Sequence, residues 1–215
     1  MISEAVRRGW RVGTHAVGDR AVRTLLNVYE GVVAEAGPVP PWTLVIEHAL
    51  FTDAALRDRV VRDGFGVTVQ FPLLWNMASE MLVTWGPERT RQITPLDQWL
   101  AAGASLAAGT DLVRPFNPMT NVWGMVTRGT KSAGTQGPEH AIDVTTALRL
   151  YTVGTAALNH ETGRLGSITP GKLADLAGYS ADPLAADPDD LAELTPAYTI
   201  VGGRATHDPD KRLPR

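Results

Sequence analysis

Apolar positions along this chain alternate between two spacings, and the alternation recurs. Trp10 to Thr14 is a short apolar run of strand type, preceded by what reads as the tail of a helix over Ala5 to Arg8 and a Gly9 cap. From Asp19 the apolar residues Val22, Leu25, Leu26, Tyr29, Val32 and Val33 return at helical spacing, which predicts a helix from about Arg20 to Ala36, stopped by Gly37-Pro38. A second strand is expected over Trp42 to Ile46, with a helix capped at Thr52-Asp53 and running through Arg62 to the Gly64 stop. A third strand falls on Gly66 to Gln70 and a fourth on Ala104 to Ala108. This order predicts parallel βα units, whose reactive residues collect at the carboxyl ends of the strands.

Other stretches fit less simply. Leu73 to Thr94, with Trp75, Met77, Met81 and Trp85, is longer than a βα turn needs. It reads either as a substrate-facing loop or as helix packed on the sheet. Pro95 to Ala102 predicts a short helix with proline at its start, and Met119 to Arg128 resumes a helix after the proline-rich Arg114 to Pro118. Thr130 to His140 reads as a mobile loop, and Asp143 as the cap of a helix through Thr152, with a further turn over Thr155 to Leu158. From Gly163 the texture turns to β: strands at Ala174 to Tyr179 and Tyr198 to Val201, joined by an acidic surface link over Asp182 to Glu193. The expected division is thus a βα unit over 1–162 and a β segment over 163–215.

At 215 residues, 44% hydrophobic and 20% charged, the chain can bury a core and is not expected to be disordered. The net charge of -3, without a Lys/Arg cluster, argues against nucleic acid as a partner. No run approaches a membrane span and the first residues lack an apolar leader core, so a cytoplasmic protein with no membrane partner is expected. Cysteine is absent, so any transition-metal site must be built from histidine and carboxylate.

Three strand ends supply such groups. His15, His48 and Asp111 fall about one and then two βα units apart and would converge at one mouth of a parallel barrel. Two imidazoles and a carboxylate form a common donor set for zinc and related divalent metals, and a carboxylate beside a metal-bound water can act as general base. A lone buried histidine is more often structural than a ligand; the shared strand-end placement is what raises these. Gln70, which holds the equivalent position on the third strand, and Trp75 and Phe116 in the following loops are candidate substrate contacts. His140, His160 and His207 are expected at the surface, and Asp19 as an N-cap. By strand alternation Glu47 points away from His48 and is read as structural.

His15 to Ala21 (HAVGDRA), Ile46 to Ala49 (IEHA), Gly109-Thr110-Asp111 and Gly166 to Leu176 (GSITPGKLADL), taken together and in this order, resemble the amidohydrolase superfamily, in the branch that holds N-substituted formamide deformylase. The resemblance implies an α/β fold: strands five to eight of a metal-dependent-hydrolase (β/α)8 barrel, its carboxyl-terminal half, plus part of a small β-sandwich. It implies that His15 and His48 bind metal after strands five and six, and that Asp111 on strand eight binds metal and shuttles a proton. The implied cofactor is zinc or a related divalent metal, one or two ions in a complete enzyme. The implied reaction is attack of metal-activated hydroxide on the carbon of an amide or N-substituted formamide, a small-molecule substrate, with Asp111 protonating the leaving nitrogen.

The strand-one His-x-His pair and the strand-four ligand of that family have no counterpart here. The chain is therefore expected to be a fragment, a product of a misplaced start, or a stand-alone half-barrel. A half-barrel exposes two sheet edges, which predicts self-association, as a homodimer closing them. The competing readings are a catalytically inactive remnant or interaction module, and a mononuclear site made of the three residues alone.

Overall fold

The computed structural model describes residues 1–111, 117–211 and Leu213. Four strands, β1 (Val12–Ala16), β2 (Leu44–His48), β3 (Gly66–Val69) and β4 (Ser105–Ala108), lie side by side in chain order, each pair parallel. Between them run the helices α2 (Asp19–Ala36), α3 (Ala54–Arg62), α4 (Phe71–Trp85), α5 (Pro87–Thr90) and α6 (Leu96–Ala101), after a short α1 (Ile2–Arg7). This is the predicted βα alternation. β1 and β2 each extend two residues past the expected end, so His15 and His48 belong to the strands themselves.

The pleat sorts the sheet residues into two rows. Thr14, Ile46, Val67 and Leu106 stand in register on one face. Ile46 and Val67 are fully buried and join Leu26, Tyr29, Leu56 and Val60 in one apolar cluster, so this face carries the helices. Burial of such side chains contributes about 1.5–3 kcal/mol each. The other row, His15, Glu47, Thr68 and Ala107, carries polar groups and is the face that builds the site.

The long stretch after β3 resolves in favour of helix. Phe71, Leu74, Ala78 and Met81 of α4 are buried at helical spacing, and Gly86 ends the helix. Gly18, not Asp19, is the N-cap of α2; the Asp19 carboxylate instead accepts from Arg20 N at 2.8 Å and pairs with Arg89 at 3.3 Å.

After β4 come α7 (Pro118–Thr127), α8 (Val144–Arg149), a π turn (Leu150–Gly154) and α9 (Thr155–Leu158), the last three continuous. Gly109 N bonds Val69 O, so by the alternation of a parallel strand the Leu106 and Ala108 carbonyls face away from β3. There they meet the π turn. Thr155 Oγ1 donates to Ala108 O at 3.3 Å, and Gly154 lies so close to Leu106 O that an ideal Cβ would stand 2.4 Å from it.

The segment expected to be mobile, Thr130 to His140, is pinned instead. Arg128, with no exposed surface, donates to the carbonyls of Ile93, Thr94 and Gln136, and Gly129 bridges Thr135. His140, expected at the surface, is buried against Asp97, Nδ1 to Oδ1 2.7 Å.

The β segment forms an antiparallel sheet of β5 (Leu176–Tyr179), β6 (Pro196–Val201) and β7 (Arg204–His207). The Gly202-Gly203 pair, both at positive φ, turns the chain from β6 into β7, a strand absent from the sequence expectation. The acidic link is more than a surface excursion, because Leu191 on its 3-10 turn (Pro188–Glu193) is buried in the main apolar cluster. Asn117 Nδ2 fastens this turn by donating to Ala192 O and Leu194 O.

Candidate metal centre

β1 and β2 deliver the two histidines by different means. His15 lies on the polar face by ordinary alternation, opposite Glu47 in the register. His48 is opposite Ala16, a buried residue of the helix-side cluster, and simple alternation would send its ring there. Its φ of 78°, followed by 45° at Ala49, breaks the alternation. The ring of His48 consequently meets that of His15, centroids 4.6 Å apart and edge to face. Of the two imidazoles, His15 is exposed and His48 buried.

A polar chain continues from His48. Its Nδ1 lies 2.7 Å from Gln70 Oε1, Gln70 Nε2 donates to Thr68 Oγ1 at 2.8 Å, and Thr68 Oγ1 donates to Glu47 Oε2. Gln70 is therefore a partner of the buried histidine, at the N-cap of α4. Glu47 rests over Gly13, where an ideal Cβ would come within 2.6 Å of Oε1. It shares the sheet face of His15 and is tied to His48 through two side chains, a connection that counting by two from His48 missed. Thr68 was missed as well. The available signal was its place two residues before Gln70, which puts both on one face.

Asp111 ends the turn after β4, exposed and at φ 52°. Among the described residues no three His, Asp or Glu side chains stand within reach of one metal ion, so Asp111 is not gathered with the histidine pair. Trp75 lies on α4, half-buried, with Lys131 over its ring at 5.7 Å. Phe116 lies outside the described residues. His160 and His207 are exposed, as expected. The donor chemistry, two neutral-capable imidazoles without thiolate, fits two ligands of a divalent-metal shell.

Comparison with known proteins agrees with this architecture. The chain is 27% identical over 214 residues to the amidohydrolase-type protein YtcJ of Bacillus subtilis, covering 97% of this chain and 39% of that protein. It is 26% identical over 202 residues to N-substituted formamide deformylase of Arthrobacter pascens, covering 93% and 37% respectively. The chain therefore spans under two fifths of the length of these relatives. Its fold is similar to part of an adenosine deaminase from Xanthomonas campestris solved with bound zinc, at a TM-score of 0.67 and 17% identity, covering 100% of this chain and 50% of that one. The four parallel strands thus correspond to part of a barrel of the metal-dependent-hydrolase type. Residues 1–207 match the profile of the Amidohydrolase family, and to that family this chain belongs.

Proposed function

We propose that this chain supplies half of the metal site of a hydrolase acting on non-peptide carbon–nitrogen bonds, amides or N-substituted formamides. The observation that carries the reading is the edge-to-face meeting of His15 and His48 at adjacent strand ends. These two imidazoles would hold the metal, with zinc the ion that suits a cysteine-free nitrogen and oxygen donor set. A divalent ion bound there would supply Lewis-acid activation of water and of the substrate carbonyl. By the family resemblance Asp111 would be the residue that accepts a proton from the water and gives it to the leaving nitrogen, although it stands apart from the histidine pair in this structure. Gln70 keeps His48 in place, and the half-buried ring of Trp75 is the proposed contact for an apolar N-substituent. Membership of the deformylase's family and the strand-end placement support this reading.

Two measurements test it together. Elemental analysis of the purified chain is expected to give metal that is lost in His15→Ala and in His48→Ala. Formate release from N-substituted formamides is expected to fall at least ~100-fold in Asp111→Asn with metal retained. Full metal in both histidine variants would refute the site. The exposed position of Asp111 favours a second reading, a chain that binds metal without turnover; zinc retained with no formate released would select it.

A further inference from the structure

The polar chain behind His48 has a direction. The Thr68 hydroxyl donates to Glu47 Oε2 and so spends its one proton there. Thr68 Oγ1 is then left as an acceptor, and the group of Gln70 that faces it at 2.8 Å must be the amide N–H. That choice turns the Gln70 carbonyl toward His48, where Oε1 lies 2.7 Å from Nδ1. A carbonyl needs a donor, so Nδ1 carries the proton. Each step is forced by the one before it, and the first is set by Glu47.

We propose that Glu47, Thr68 and Gln70 are positioning residues that form a one-way relay fixing His48 in its Nδ1–H tautomer, with Nε2 left as a bare lone pair for the metal. Its purpose rests on the metal-site reading above; the relay itself does not. All but one of its members are buried: Thr68, Gln70 and His48 are 5–6% exposed, and Glu47 is half-buried. Water therefore competes weakly for these bonds, and the tautomer is set before any ion arrives.

The test is nitrogen NMR of the His48 ring in metal-free protein, in mildly alkaline buffer, beside a zinc competition titration. The wild type is expected to show protonated Nδ1 and bare Nε2. Thr68→Val removes the hydroxyl that orients Gln70, and Glu47→Gln introduces an N–H that lets the chain run either way. Both are expected to bring in the Nε2–H form and to weaken zinc about 10- to 100-fold. Thr68→Ser, which restores the hydroxyl, is expected to keep the wild-type ring. A wild-type Nε2–H tautomer, or an unchanged Nδ1–H ring in well-dispersed spectra of both Thr68→Val and Glu47→Gln, would overturn the relay whatever zinc does. A relay that behaves as stated in a chain that takes no zinc upholds it and removes the metal reading instead.

Discussion

Tyr29 shows what one buried hydroxyl contributes. Its side chain has no exposed surface, and its hydroxyl stands 2.8 Å from both the Val45 carbonyl and Thr14 Oγ1, tying α2 to β1 and β2. Burial, with a smaller push from the charge on Glu47, raises Tyr29 to about 12 against the ordinary 10. The native state thus holds the neutral form beyond the point where an unfolded tyrosine ionises. The contribution is complete below pH 10 and is lost as pH rises through about 12, on the order of 2–3 kcal/mol. Tyr29→Phe is expected to cost ~1 kcal/mol near neutrality and to flatten that alkaline decline, read by urea unfolding across pH. Equal alkaline slopes in both proteins would refute this account. Residues whose partners are near in sequence were readable in advance: Asp53 and Asp143 cap α3 and α8 by accepting from Leu56 N and Thr146 N. Arg128 and His140 were not, because the Ile93 and Thr94 carbonyls and Asp97 are distant in the chain and only the fold brings them close.

At the scale of elements, periodicity carried the order of strands and helices, since burial of one face imposes it directly. It did not carry the ends. The apolar run of β2 stops at Ile46, yet ladder bonds continue to His48, and the backbone twist that turns the His48 ring has no signature in the letters Glu-His-Ala. The π turn was equally hidden, because it depends on Gly154 meeting the Leu106 carbonyl. Helix propensity alone would favour alanine over glycine there by about 1 kcal/mol. A Cβ at 2.4 Å from a backbone oxygen that cannot swing aside outweighs that gain. Gly154→Ala is therefore expected to destabilise by ~1–3 kcal/mol, a fall of several degrees in Tm by calorimetry. An unchanged or higher Tm would show that the packing of α9 on β4 is looser than described.

At the scale of the whole molecule, the two sheet edges differ. The β4 edge is met by the π turn and Thr155, whereas β1 is the terminal strand on its side, and Gly13 and His15, whose backbone groups face away from β2, are both exposed. An edge of that kind templates strand pairing. We infer that the chain self-associates through β1, which predicts a mass by light scattering that climbs with concentration; a constant monomer mass would refute it. The sequence resemblance already pointed to part of a barrel, because βα repetition and four motif blocks survive in order. It did not show how the β segment is anchored, since that depends on Leu191 entering the apolar cluster and on Asn117 reaching the Ala192 and Leu194 carbonyls, far along the chain. The anchor also has a consequence in time. Every hydrogen-bonded pair in the parallel sheet joins strands adjacent in sequence, so during synthesis each βα unit can dock on the one before it as it leaves the ribosome. Asn117 must wait: its amide cannot find the Ala192 and Leu194 carbonyls until those residues have been made, and so the clasp between helix α7 and the acidic link closes only after all four parallel strands have been synthesised.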